Sequence, residues 1–139
     1  MLFRSNLGVY TVPYALETRI SMVDLADVAA VAARVLAEAG HDGATYALCG
    51  HELLSQTDIA EIMSAVLGRK VRGEVVGIES WSRQARAAGL HDYAVNTLVA
   101  MFQYYEQHGL PGNPQVLRWL LGRSPTSFEQ FIRRTLPEP

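Results

Sequence analysis

Residues 20–50 read ISMVDLADVAAVAARVLAEAGHDGATYALCG, and this stretch decides the fold class. It contains two short apolar runs, residues 20–23 and 45–49. Between them, apolar residues recur at spacings of three and four, which predicts an amphipathic helix. Because the second run carries almost no polar residue, it is typical of a strand covered on both faces in a parallel sheet. The stretch therefore predicts a βαβ unit over about residues 20–50.

Two aspartates mark the start of the predicted helix. Asp24 follows the first strand at the N-cap position, and Asp27 lies three residues later in the first turn. An N-cap oxygen accepts a backbone N–H group, and a carboxylate in the first turn faces the positive end of the helix dipole. We therefore interpret both aspartates as helix-starting residues and not as a catalytic pair.

The rest of the chain reads as an extended arm, residues 1–19, and a mainly helical lobe after residue 50. Ser55 and Asp58 form a capping-box variant for a helix that ends at Gly68, and Thr126 with Glu129 predicts a second capping box. Further elements are predicted as an edge strand over 71–78 and helices over 80–88, 92–108, 116–121 and 127–134. The predicted fold is a helix-rich α/β protein with a single domain over residues 1–139.

Composition and charge exclude several classes of protein. Hydrophobic residues make up 49% and charged residues 19% of the 139-residue chain, as in ordinary globular proteins. A formal net charge of −2 disfavours a nucleic-acid binder. No apolar run is long enough for a membrane span and no secretory leader is recognisable, so we expect a cytoplasmic protein. The single cysteine, Cys49, is expected to act as a small apolar side chain in a buried strand.

Motifs that carry redox or metal chemistry are missing from the sequence. A dinucleotide-binding loop needs closely spaced glycines between a strand and a helix, and none occurs. The only lysine, Lys70, has Val66 four residues before it, so the tyrosine–lysine pair of short-chain reductases is absent. His51 is followed four residues later by Ser55 instead of a second histidine. We therefore assign no catalytic, cofactor-binding or metal-ligating residue.

Five segments, in their order and spacing, resemble the second half of NmrA-like proteins, which are atypical members of the extended short-chain dehydrogenase/reductase superfamily. The segments are RISMVDLADVA at 19–29, GATYALCG at 43–50, LSQTDIA at 54–60, LGR at 67–69 and GRSPTSFEQF at 122–131. The resemblance covers nearly the whole chain.

This resemblance implies a two-lobed protein whose N-terminal Rossmann half binds NAD(P) and whose C-terminal part shapes a cleft over the nicotinamide. Family members include oxidoreductases and redox-sensing regulators that bind the cofactor without turning it over. This chain begins after the family's glycine-rich loop and any catalytic tyrosine and lysine. We therefore expect no cofactor in the isolated chain and no catalysis by the chain alone.

The candidates for the substrate cleft are mostly aromatic. Phe3 and Asn6 resemble a remnant of the family's Phe-x-x-Asn segment, which leads into the cleft. The helical lobe adds four aromatic candidates, Trp81, Tyr93, Phe102 and Tyr105. The alternative interpretation is that these four are core residues at helical spacing.

The predicted strand 45–49 has a consequence for partners. If it belongs to a Rossmann sheet, its neighbouring strands are missing, which leaves unpaired backbone and apolar surface. We therefore expect a homo-oligomer, such as a dimer, or association with a separately encoded Rossmann half. Three hypotheses follow: the substrate-cleft part of an NmrA-like protein, a cofactor-free interaction or dimerisation module, and a small-ligand binder that uses an aromatic cleft.

Overall fold

A computed structural model describes residues 2–4 and 8–136, with side chains from residue 8 onwards. Its elements, in chain order, are β1 (Leu2–Arg4), β2 (Val9–Val12), α1 (Leu25–Ala37), α2 (Gln56–Leu67), β3 (Arg72–Val75), α3 (Ile78–Ala87), α4 (Asp92–His108), α5 (Gln115–Leu121) and α6 (Phe128–Thr135). The helix-rich α/β class is confirmed. The chain divides into two compact units, Met1–Ile20 with Ser55–Leu110 and Ser21–Leu54 with Pro111–Pro139. The single-domain assignment stays a prediction.

The first unit is built on a three-stranded sheet in the order β1-β2-β3. Strand β2 pairs antiparallel with β1 and parallel with β3, where Val12 lies opposite Val75. Alternate side chains of β2, Tyr10 and Val12, are buried, while helix α2 supplies Ile59 and Met63 to the core. The strands and α2 therefore form one apolar core.

Helix ends in the first unit follow the predicted caps in α2 and α4. Ser55 and Asp58 form the capping box of α2, and Gly68 ends that helix in a left-handed conformation at φ 62°. Helix α4 spans the predicted Asp92–His108, with no side-chain hydrogen bond at its N-cap, His91, and with Gly109 directly after its last residue. Because these helix ends depend on residues close by in the chain, sequence spacing locates them well.

Two elements of the first unit differ from their predicted bounds. Helix α3 begins at Ile78 after Gly77, two residues before the predicted cap Ser80. No side chain caps the first turn, and the first backbone hydrogen bond of the helix runs from the Trp81 amide to the Gly77 carbonyl at 2.9 Å. Strand β3 is shorter than the predicted 71–78, since its partner β2 ends before Pro13, which has no backbone N–H.

The second unit contains α1, α5 and α6, and α1 packs against α5. Asp24 caps α1 as predicted, because its Oδ1 accepts a hydrogen bond from the Ala26 amide at 2.9 Å. Helix α5 ends at Gly122 in a left-handed conformation, also as predicted. The capping box of α6 is formed by Ser127 and Gln130, one residue after the predicted pair.

The two predicted strands of the βαβ unit are wrong. Among the described residues, the segments on either side of α1 carry no strand assignment, and the only pairing in this region is an isolated bridge between Ile20 and Leu110. Residues 45–48 make no backbone hydrogen bond to the described part of the chain. A strand is defined by a hydrogen-bonded neighbour, and no described segment supplies one here.

The two segments nevertheless approach each other closely at Gly50. A Cβ atom at this position would overlap the carbonyl oxygen of Met22. Backbone atoms cannot move aside as a flexible side chain can, so only glycine fits at position 50.

We predict that Gly50→Ala destabilises the protein by about 3 kcal/mol or more, because the methyl group forces the two backbone segments apart. Urea unfolding followed by circular dichroism measures the change. The matched control is Gly77→Ala, where a Cβ meets nothing within 4 Å and φ is −59°. Equal stability of the two variants would contradict the prediction.

Candidate functional site

An aromatic cluster lies in the first unit and brings together three of the predicted cleft residues. The rings of Trp81 and Phe102 meet edge to face at 4.9 Å between centroids. The Tyr14 ring lies 5.8 Å from Phe102 and 6.2 Å from Tyr105, again edge-on in the second case. These separations are typical of favourable aromatic pairs. Tyr14 therefore links the predicted residues into one cluster.

Tyr14 was not among the residues predicted from the sequence. It is 9% exposed, whereas the other three rings are half-buried. The alternation of Tyr10, Val12 and Tyr14 is a period-two pattern that places these side chains on one face. That pattern was the signal in the sequence for Tyr14.

The remaining cleft candidates do not join the cluster in the described part of the chain. Tyr93 is 84% exposed in the first turn of α4, and no ring contact involves it among the described residues. The backbone of Phe3 lies in β1, opposite Tyr10. The Phe3 side chain and the whole of Asn6 lie outside the described residues.

A buried polar group adjoins the aromatic cluster. The Tyr10 hydroxyl donates to the backbone carbonyl of Gln56 at 2.6 Å. The side-chain amide of Gln56 donates to the Tyr14 hydroxyl at 3.1 Å. Gln56 is 3% exposed, and its Oε1 has no partner among the described residues. Exchanging the amide oxygen and nitrogen pairs Oε1 with Tyr14 but leaves the nitrogen unpaired. In either orientation, one side-chain amide atom of Gln56 therefore lacks a partner among the residues that the structure describes.

The two tyrosines of this group are hydrogen-bonding groups and not bases. Burial, assisted by the neighbouring Tyr14, raises the pKa of Tyr10 to about 12. Burial and then Tyr105 also raise the pKa of Tyr14 above its usual value of 10.0. Both phenols are therefore protonated at neutral pH. The cluster offers flat apolar rings and neutral hydroxyl groups, which suit binding better than acid–base catalysis.

In the second unit, Asp27 holds the C-terminal segment. Its carboxylate is 1% exposed and accepts hydrogen bonds from the Arg123 guanidinium at 2.6 Å and from the Thr126 amide at 2.6 Å. The Thr126 hydroxyl donates a third bond at 3.1 Å. Asp27 lies in the first turn of α1 as predicted, but its carboxylate also holds the C-terminal segment, a role that the sequence did not indicate. Its partners lie 96 and 99 residues away, so no local spacing indicates them.

Three more contacts attach the same segment. Arg134 donates to Asp24 Oδ2 at 2.6 Å, the Phe128 amide donates to Glu52 Oε2 at 2.6 Å, and Arg34 donates to the Leu120 carbonyl at 2.8 Å. With the Asp27 contacts, they form what we call the C-terminal clamp. The acidic groups of the clamp lie before residue 55 and their partners after residue 122.

The engagement of Asp27 also explains the shifted capping box of α6. The Thr126 amide and hydroxyl are occupied by the Asp27 carboxylate. The next hydroxyl residue, Ser127, therefore caps the helix, and its Oγ accepts a hydrogen bond from the Gln130 amide at 3.1 Å.

The titration of Asp27 reflects these contacts. Burial alone raises the pKa of its carboxyl, but the hydrogen bonds from the Thr126 amide, Arg123 and the Thr126 hydroxyl outweigh it. The net effect lowers the pKa below its ordinary value of 3.8. Since the folded pKa is depressed, the clamp stabilises the fold above about pH 3.8 and loses this contribution as the pH falls towards the folded pKa.

Where the structure describes side chains, the other reactive groups form no recognisable site for a metal or a nucleophile. No cluster of three metal-ligating side chains occurs among the described residues. Cys49 is half-buried, its thiol donates to the Asn113 carbonyl at 3.0 Å, and burial raises the pKa of the thiol above 9.0. The thiol is therefore protonated and structural at neutral pH. In the described part of the chain, no helix has both the length and the apolar character needed to cross a membrane.

We predict that Asp27→Asn destabilises the protein by about 2–4 kcal/mol at pH 7, because Arg123 loses its charged partner and the buried site loses an acceptor. The stability of the variant should also fall less steeply than that of the wild type as the pH drops below about 3.8, because the asparagine has no carboxyl group to protonate. Urea unfolding at pH 7 and pH 3 measures both effects. The control is Asp42→Asn, an exposed aspartate. A loss no larger than that of the control would contradict the clamp.

The chain is similar to a known protein family and to several reductases. The NmrA-like family matches residues 5–132. A (4-alkanoyl-5-oxo-2,5-dihydrofuran-3-yl)methyl phosphate reductase of Streptomyces griseus is 35% identical over 129 residues, covering 91% of this chain and 44% of that protein. An NAD(P)H azoreductase of Xenophilus azovorans is 26% identical over 117 residues, covering 84% of this chain and 41% of that protein.

A solved structure agrees with the sequence comparisons. An NADPH-dependent quinone oxidoreductase from Escherichia coli superposes with a TM-score of 0.79 at 26% identity. The superposition covers 95% of this chain and 48% of that chain. The chain thus spans less than half the length of the relatives it matches. The family match extends over nearly all of its own length, so the resemblance seen in the sequence is confirmed and the chain belongs to the NmrA-like family.

Proposed function

We propose that this chain is the C-terminal, substrate-cleft part of a cytoplasmic NmrA-like NAD(P)-binding oxidoreductase or redox-sensing protein, and that it is not catalytic alone. Family membership and the reductases among its relatives support the redox assignment. The sequence contains no glycine-rich phosphate-binding loop, so its residues do not fit an NAD(P) site of their own. The cofactor therefore belongs to another part of the protein or to a partner chain.

The observation that carries the proposal is the unpaired backbone of residues 45–48. Among the described residues, nothing accepts or donates a backbone hydrogen bond there. The side chains of Tyr46 and Leu48 are half-buried, while Thr45 and Ala47 are exposed. Such a segment can gain a hydrogen-bonded neighbour by joining the edge of another sheet. A Rossmann half supplies a sheet of this kind.

The contribution of this chain to substrate binding is the aromatic cluster. The Tyr14 ring contacts the rings of both Phe102 and Tyr105, and the Trp81 ring lies against Phe102. Such rings bind planar conjugated molecules by stacking and edge contacts. Quinones and azo compounds, after which two of the relatives are named, are acceptors of this shape.

We predict that a chimera restores a cofactor-dependent reductase. The chain would replace the matching segment of the Escherichia coli quinone oxidoreductase, behind that enzyme's own N-terminal half. We expect the chimera to bind NADPH in calorimetry and to oxidise it when a quinone is added. The 139-residue chain alone should show no micromolar affinity for NADPH or NADH. Micromolar binding by the chain alone would contradict the proposal.

A proline variant of the chimera tests whether the backbone of residues 45–48 pairs with the Rossmann half. Ala47→Pro removes a backbone N–H and should abolish cooperative unfolding of the two halves, because proline cannot donate the hydrogen bond that pairs a strand with its neighbour. Ala47→Thr keeps the N–H and serves as the control. If the 139-residue chain instead sediments as a stable dimer that Ala47→Pro dissociates, the dimerisation module is the better assignment.

A further inference from the structure

A groove of about 410 Å³ lies in the first unit beside helices α3 and α4, apart from the aromatic cluster. Ile78 and Val99 are its apolar lining, and Ser82 and Asn96 are its neutral polar lining. On α3 the charged residues Glu79, Arg83 and Arg86 complete the lining at helical spacings of three and four. The volume is within the range of small-molecule sites.

The two arginines of the groove differ in their partners. Arg86 is held in place, because its Nε donates to Asp92 Oδ1 at 2.7 Å and its Nη2 reaches Asn96 Oδ1 at 3.5 Å. Arg83 makes no ion pair or hydrogen bond within the described part of the chain. Its guanidinium donors are therefore not engaged by the described residues and are available to a ligand in the groove.

Hydrogen-bond donors exceed acceptors along the charged side of the groove. The Asn96 amide nitrogen has no acceptor among the described residues, while its oxygen already faces Arg86. The Ser82 hydroxyl donates to the Ile78 carbonyl at 2.8 Å and so offers only its lone pairs. Glu79 is the one acidic lining residue, and its carboxylate makes no ion pair with Arg83 in the structure. An exposed ion pair four residues apart on a helix is weak, so Glu79 competes only weakly with an anionic ligand for Arg83.

We infer that this groove binds a small organic anion, with a phosphate or carboxylate group on Arg83 and the Asn96 amide and a short apolar chain against Ile78 and Val99. Arginine is the side chain best suited to such groups, because its planar fork binds two of their oxygens at once. The apolar lining adds affinity for the attached chain. The site stands independently of the proposed redox function, since it needs no cofactor.

Butyl phosphate is the probe, titrated into the 139-residue chain with ¹³C-labelled isoleucine methyl groups. The Ile78 methyl resonance, assigned with Ile78→Val, should shift and saturate with a Kd of about 1 mM or tighter. Butyrate tests the carboxylate form of the ligand, and inorganic phosphate should bind at least about threefold more weakly than butyl phosphate, because it lacks the apolar chain. Neutral 1-butanol should cause no saturating shift.

Charge variants test which residue holds the anion. Arg83→Gln should weaken butyl phosphate about tenfold or more, Arg83→Lys less, and Glu79→Gln should tighten it about threefold. Arg118→Gln removes the same charge from an exposed position on α5 and should leave the affinity unchanged. The charge variants should keep the wild-type unfolding temperature, since the side chains of Glu79, Arg83 and Arg118 are exposed.

The inference is overturned by any of three results. One is the absence of saturation with both butyl phosphate and butyrate up to about 10 mM, well above the expected Kd. Another is an equal loss of affinity in Arg83→Gln and Arg118→Gln. The third is a shift of the Ile78 methyl by 1-butanol that matches the shift by butyl phosphate.

Discussion

The buried carboxylate of Asp27 is the interaction on which the second unit depends. A charge that is only 1% exposed is unfavourable unless hydrogen bonds and an opposite charge compensate its lost hydration. Arg123 and Thr126 supply both. Asp24 and Glu52 repeat the pattern, in which an acid from the earlier segment holds an arginine or a backbone amide of the later one. The position of α6 follows from these polar contacts as much as from its apolar side chains.

Sequence reasoning located elements whose ends are fixed by local contacts. The capping box of Ser55 and Asp58 and the full length of α4 are examples, because their determinants lie within a few residues. It missed the cap of α6 by one residue, since Thr126 is engaged by a carboxylate 99 residues away. It also assigned two strands beside α1, because apolar runs indicate burial and do not show whether a pairing neighbour exists.

The aromatic cluster was predictable in part. Phe102 and Tyr105 are three residues apart on α4 and share a face, whereas Tyr93 precedes Phe102 by nine residues. At about 100° per residue, nine residues place Tyr93 on the opposite side of the helix from Phe102. Helical geometry alone was therefore sufficient to separate Tyr93 from the cluster. The pairing of Gln56 with Tyr14 was not accessible in this way, because it joins α2 to a residue 42 positions earlier.

The division of the chain into two units has a consequence for the order of folding during synthesis. Neither unit is continuous, because the first takes in Ser55–Leu110 and the second resumes at Pro111. The first unit is complete once residue 110 has left the ribosome, but Asp27 must wait another 13 residues for Arg123. Until Arg123 has been synthesised, the acidic residues of α1 remain hydrated. During synthesis, the first unit can therefore fold before α1 has gained its polar contacts with the later segment.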